Sequence, residues 1–219
     1  MLEVRNACKT YNPGTVRELS LFRNFSLTVD TGAFVSIVGS NGSGKTTLLN
    51  LICGSVPLDE GQILVDGQDV TRTREYLRSR LIGRVYQNPS AGTCGSMTIL
   101  ENMLEARVGS LSGGQRQALA LLMSTMTPIS FLILDEHTAA LDPKTADIIM
   151  QLTDRIVREK HLTAMMVTHN LRYALEYGDR LMMMHQGGVV LDRQGADKQA
   201  TQMQDILKIF NEISIECGN

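Results

Sequence analysis

Nine consecutive residues, Gly39-Ser40-Asn41-Gly42-Ser43-Gly44-Lys45-Thr46-Thr47, have the types and spacing needed to hold phosphate. They fit G-x-x-x-x-G-K-[ST], the phosphate-binding loop. Gly39, Gly42 and Gly44 let the backbone curl until successive N–H groups point inward, and they carry no Cβ to obstruct a phosphate. Lys45 would reach the β- and γ-phosphates, and Thr46 would offer its hydroxyl to Mg²⁺. A second pair, Asp135-Glu136, closes the apolar run Phe131-Leu132-Ile133-Leu134. A carboxylate at the end of a buried strand can hold Mg²⁺, often through water, and Asp135 takes that role. Glu136 is then placed to polarise a water in line with the γ-phosphate. The chemistry expected of these residues is hydrolysis of a Mg²⁺-bound nucleoside triphosphate.

Positioning them requires particular elements. The loop follows the apolar run Phe34-Val35-Ser36-Ile37-Val38 and precedes Leu48-Leu49-Asn50-Leu51-Ile52. That order reads as a buried strand, a glycine-rich turn and a helix whose unpaired N–H groups face an anion. An ordinary Gly/Ser turn fits less well, because the whole motif sits between a strand and a helix. The helix is expected to end near Cys53, with Gly54 beyond it.

The remaining pattern places further strands at 2–11, 25–29, 62–65, 82–86, 162–167, 180–184 and 189–191. Helices are expected at 72–80 (charged), 99–107, 116–126, 143–160, 171–177 and 201–213. Thr98 and Glu101 suggest a capping box for the second of these, with Ile99, Leu100, Met103 and Leu104 on one side. Strands alternating with helices argue an α/β fold with a parallel-centred sheet and an antiparallel β subdomain near the N-terminus. The 219 residues suit one core, so residues 1–219 are read as a single domain.

Composition narrows the function further. A net charge of −2 points away from a nucleic-acid-binding surface. Four scattered cysteines at 8, 53, 94 and 217 form no C-x-x-C pair, so a reducing cytosol fits best. No apolar run reaches the length of a membrane span, so work at a membrane would need a partner.

Leu111-Ser112-Gly113-Gly114-Gln115, shortly before the Asp135-Glu136 strand, resembles the signature of the nucleotide-binding subunit of ABC transporters. The likeness runs through nearly the whole chain. Thr10-Tyr11 resembles the loop whose aromatic stacks on adenine. Gln87 resembles the glutamine that touches Mg²⁺ and the attacking water. Ala140-Leu141-Asp142 resembles the D-loop. His169 resembles the switch histidine at the γ-phosphate. The resemblance implies a P-loop NTPase that binds ATP and Mg²⁺. It also implies that Ser112, Gly113, Gly114 and Gln115 close on the γ-phosphate held by a second ATPase subunit, in a head-to-tail dimer.

The implied protein is the cytoplasmic motor of a permease, peripheral on the inner face of the membrane. The runs 113–119 and 135–145 look most like ATPases of bacterial uptake systems with a separate substrate-binding protein, some assigned to tryptophan and tyrosine. Two rivals are a non-transport ABC ATPase and a regulatory nucleotide-binding module. The first usually carries tandem domains or long coiled-coil insertions, and neither is present. Glu136 argues against the second. His137 stands where many relatives have proline and is expected to have a supporting or surface role.

One stretch departs from the family pattern. Only 23 residues, 88–110, separate Gln87 from Leu111, where the family places a helical subdomain. Residues 88–126 therefore read as a truncated remnant of it, and Arg107-Val108-Gly109 reads as a join between two normally distant points. Either the sequence omits a segment of the natural chain there or the protein lacks the subdomain. The first explanation is favoured because both flanks are intact.

Overall fold

The computed structural model describes residues 1–88, 91 and 111–216. The expected helix at 99–107 and its Thr98/Glu101 cap lie outside the described residues.

Two sheets frame the chain. The first contains β1 (Leu2–Tyr11), β2 (Leu19–Val29), β4 (Glu60–Val65) and β5 (Gln68–Asp69), in the order β2-β1-β4-β5 and antiparallel throughout. The second has the order β10-β9-β3-β8-β7-β6. Its parallel strands are β3 (Phe34–Gly39), β6 (Ile82–Val85), β7 (Phe131–Asp135), β8 (Thr163–Val167) and β9 (Arg180–His185). Among the described residues of this sheet, only the edge strand β10 (Gly188–Gln194) runs antiparallel to its neighbour. Every residue of β3 and β8 is buried, because layers cover both faces, and this is why those runs read as continuously apolar.

Helix α1 (Lys45–Cys53) lies between the sheets. Nine residues are too few for a stable isolated helix, so its hold is tertiary. Leu48, Leu49, Leu51 and Ile52 are buried against both sheets, each contributing about 1.5–3 kcal/mol. On the other face of the parallel sheet lie α3 (Gly113–Ser124) and α4 (Pro143–Glu159). The short α5 (Leu171–Glu176) and α7 (Met203–Glu216) pack beside β9, and α6 (Gly195–Ala200) joins β10 to α7.

Several boundaries differ from the sequence expectation. The strand expected at 25–29 begins at Leu19. The β1–β2 pairing slips at three places, and Asn6 and Asn24 take positive φ, so period-two alternation breaks there. The charged helix expected at 72–80 shrinks to α2 (Glu75–Arg78). Arg78 is buried, not solvated. Its guanidinium donates to the carbonyls of Leu51 and Ile52 at 2.8 Å each, and to Thr71 and Thr73. It thereby satisfies the last carbonyls of α1. A Cβ on Gly54 would come within 2.7 Å of Arg78 Nε, so this close approach needs glycine as well as its positive φ.

The helix expected at 116–126 starts at Gly113. Ser112 and Gln115 form a reciprocal capping box, with Gln115 N donating to Ser112 Oγ and Ser112 N donating to Gln115 Oε1. β6 stops at Val85, one residue short of the expected 86. β10 extends to Gln194 where 191 was expected, the helix expected at 201–213 is α7 at 203–216, and the short α6 before it was not expected.

Candidate nucleotide and catalytic site

The C-terminal ends of β3, β7 and β8 converge, and β8 lies between the other two. Such a crevice is where open α/β sheets bind ligands. A cavity of about 230 Å³ opens there, lined by Tyr11, Leu19, Leu21, residues 41–47, Glu136 and His169.

The loop after β3 owes its path to its glycines. Gly39 has φ 152°, and a Cβ on it would lie 2.3 Å from the Met184 carbonyl oxygen of β9. Gly44, at the N-terminus of α1, takes φ 102° and offers no side chain to cap the helix. Gly42 also has positive φ but meets open space, so its role is conformational rather than steric. Lys45 is buried beneath the loop. Its ammonium donates to the carbonyl oxygens of Gly39 (2.8 Å) and Ser40 (2.9 Å) and to Ser43 Oγ (3.3 Å). Burial lowers its pKa, and the nearby Glu136 carboxylate opposes that shift. Thr46 is exposed on the first turn of α1.

Glu136 follows β7 with φ 47°, a left-handed conformation uncommon outside glycine. Its N–H donates to Val167 O at 2.9 Å, and Ala139 N–H donates back to Glu136 O at 2.9 Å. These bonds hold a strained backbone where the carboxylate faces the cavity. His169 Nε2 stands 2.7 Å from Glu136 Oε1. The Thr168 N–H donates to Ile37 O of β3, which ties the His169 segment to the phosphate-loop strand. The helix after His169 is capped by Asn170, whose Oδ1 accepts from Arg172 N and Tyr173 N, so His169 is not the cap.

Tyr11 ends β1 at the cavity mouth, with its hydroxyl 3.5 Å from Thr47 Oγ1 and Lys9 Nζ 5.6 Å from its ring centroid. Gln87 is exposed two residues past β6. Asp135 does not line the cavity; its Oδ2 accepts from Arg84 Nη2 at 2.7 Å. Arg84 was not among the residues expected at the site. The available signal was a single basic residue inside the apolar strand β6. Leu19 and Leu21 were missed with the first half of β2.

The signature residues Ser112, Gly113, Gly114 and Gln115 lie apart from this cavity, as does Asp142. Asp142 caps α4, accepting from Thr145 N at 3.1 Å, and hydrogen bonding from the Thr145 side chain and then its backbone lowers the carboxyl pKa. The signature helix seats directly on this cap. A Cβ on Gly114 would fall 2.3 Å from Thr145 Cγ2, and one on Gly113 would fall 3.5 Å from Leu141 Cδ2.

His137 is fully buried, which removes the surface role from its two expected ones. Thr153 Oγ1 donates to Ile149 O and therefore accepts from His137 Nε2–H at 3.1 Å. Burial pushes the imidazole pKa down to about 4.

The fold and this site define a phosphate-loop nucleoside triphosphatase. Residues 22–106 match the ABC transporter family. The chain is 42% identical to the tyrosine transport ATP-binding protein of Clostridioides difficile, covering 96% of this chain and 98% of that one. It is 30% identical to the phosphonates import ATP-binding protein PhnC 2 of Oceanobacillus iheyensis, covering 88% and 89%. Among solved structures it is similar to the dimeric post-hydrolysis state of the ATP-binding cassette MJ0796 bound to ADP and Pi. That likeness has a TM-score of 0.73 at 26% identity, covering 89% and 98% of the two chains. The ADP conformation of MJ1267 shares the fold with a TM-score of 0.80 at 24% identity, covering 100% and 99%. The chain belongs to the ABC transporter family, as an ATP-binding and ATP-hydrolysing subunit.

The alignment to the Clostridioides protein runs over 247 residues, while 96% of 219 is about 210, so about 37 of its positions have no counterpart in this chain. Among the described residues, no helix is long and apolar enough to cross a membrane.

Proposed function

We propose that this chain powers uptake of an amino-acid-type solute, of which tyrosine is the first candidate. The observation that carries this is its 42% identity across nearly the whole of a tyrosine transport ATP-binding protein. Tyr11 stacks on adenine, and residues 39–47 enclose the phosphates. Lys45 exchanges its carbonyl partners for phosphate oxygens. Glu136 orients and deprotonates the attacking water, with His169 holding the carboxylate and sensing the γ-phosphate.

Mg²⁺ fits the donors available. Among the described residues there is no cluster of three His, Cys, Asp or Glu side chains that could hold a metal unaided. A hydroxyl (Thr46), one carboxylate (Asp135) and an amide (Gln87) suit a hard ion that takes its remaining ligands from phosphate and water. When bound, Mg²⁺ supplies charge neutralisation on the phosphates.

Ser112–Gln115 and Asp142 serve the nucleotide of a second copy, giving a homodimer with ATP at the interface. The N-terminus of α3 is an anion site with no phosphate of its own within the protomer, which supports action in trans. Permease, substrate-binding protein and a position on the inner face of the membrane complete the assembly. The test is uptake of labelled tyrosine in cells deleted for this chain. Wild type should restore uptake and Glu136→Gln should not. Unchanged uptake on deletion would overturn the solute assignment.

A further inference from the structure

We infer that Arg84 is a built-in counter-ion at the metal carboxylate, which keeps the nucleotide-free site from taking up a divalent cation on its own. This rests on the reading above of Asp135 as a metal ligand. Arg84 is fixed on three sides. Nη2 donates to Asp135 Oδ2 at 2.7 Å, Nη1 donates to Asn50 Oδ1 of α1 at 2.9 Å, and the guanidinium carbon lies 4.6 Å from the Tyr86 ring centroid. The two ion-paired side chains are only 11% and 14% exposed, so solvent screens the pair weakly. Arg84 Nε is buried without a hydrogen-bond partner among the described residues. Such a position for a cation is costly unless the neighbouring charge compensates it.

Two opposite effects on metal binding can be weighed. A guanidinium that orients Asp135 would help a metal. A positive charge sharing its carboxylate would repel one. The backbone of Asp135 is fixed by β7, the strand it ends, so the guanidinium's orienting effect is confined to the short side chain. Repulsion between a monocation and a dication on one carboxylate in a weakly screened site is the larger effect. Arg84 therefore makes metal entry depend on the phosphates that arrive with it, and weakens the metal's hold once the γ-phosphate has gone. Arg84 acts through the Asp135 carboxylate in this scheme and does not touch the reacting atoms.

The experiment is a titration of the nucleotide-free chain with Mn²⁺, followed by the electron paramagnetic resonance signal of free Mn²⁺. Arg84→Gln should bind Mn²⁺ at least about ten-fold more tightly than wild type, and Arg84→Lys, which keeps the charge, should stay within about three-fold of wild type. Arg84→Met also removes the charge while keeping the apolar stem, and its tightening of about ten-fold decides the matter if the Gln variant does not fold. Unchanged Mn²⁺ affinity in Arg84→Gln, or in Arg84→Met where that variant decides, would overturn the inference. A parallel measurement of ATPγS affinity with Mg²⁺ or with EDTA separates the two readings. Loss of the Mg²⁺ enhancement in Asp135→Asn supports the metal seat independently of Arg84. An enhancement that survives in Asp135→Asn would overturn both.

Discussion

His169 Nε2 and Glu136 Oε1 lie 2.7 Å apart, brought together because β7 and β8 are parallel neighbours in register from Phe131/Thr163 to Asp135/Val167. The carboxylate is thus held by a second side chain before any water is bound. Glu136→Gln should retain ATP binding, lose turnover by about 100-fold or more, and accumulate as an ATP-held dimer on size exclusion. His169→Ala should lower kcat by about 100-fold, since it loses both the hold on Glu136 and the contact with the γ-phosphate. A Gln variant that stays monomeric and turns over normally would sink the assignment.

Lys45 is held by two backbone carbonyls and Ser43, ready to transfer its hydrogen bonds to phosphate oxygens. Lys45→Ala should weaken ATP binding by about 100-fold, the loss of a charge-assisted phosphate contact. Equilibrium binding of a fluorescent ATP analogue measures it directly.

Gly114 and Thr145 couple the signature helix to the start of α4. An alanine at 114 gains at most about 1 kcal/mol of helix propensity. Its Cβ, 2.3 Å from Thr145 Cγ2, costs about 1–3 kcal/mol in overpacking. The clash wins, so Gly114→Ala should destabilise the chain in urea unfolding. In a Thr145→Ser background, which lacks Cγ2, the same substitution should become neutral or stabilising. Equal effects in the two backgrounds would show that the contact is not the cause.

His137 predicts an acid limb in stability. Its folded pKa of about 4 lies below the unfolded value of about 6.5, so the native state needs the neutral ring. Between these values the unfolded chain binds more protons, and stability must rise with pH. The contribution is complete above pH 6.5 and falls as pH drops toward 4, by about 2 kcal/mol at pH 5. His137→Gln should remove this slope, read from urea midpoints at pH 7 and pH 5. An unchanged slope in the variant would show that other groups cause it.

The short stretch of 23 residues between Gln87 and Leu111 makes a mass prediction. If the natural chain carries the segment omitted between Arg107 and Val108, its intact mass will exceed 24.1 kDa by several kDa, about the mass of the 37 unmatched positions. A mass equal to 24.1 kDa would mean the subdomain is absent from this protein.

Short-range rules settled much of this protein from sequence alone. The phosphate loop is contiguous, and its glycine spacing and Lys-Thr ending specify a conformation and a ligand together. The buried strands announced themselves as apolar runs because both of their faces are covered. The signature is equally local, although its capping box starts the helix at Gly113, three residues before the expected start. What sequence could not yield depends on partners distant along the chain. Arg84 became a counter-ion only when β6 paired beside β7 and met Asn50 on α1. Arg78 read only as one charge on an expected helix at 72–80, and tertiary packing brought it to the C-terminus of α1. The bulges in β1 and β2 erased the alternation that would have marked residues 19–24 as strand. The left-handed backbone at Glu136 is imposed by bonds to Val167 and Ala139, not by residue type. Local periodicity reports which face a residue presents; the fold alone decides what it meets there.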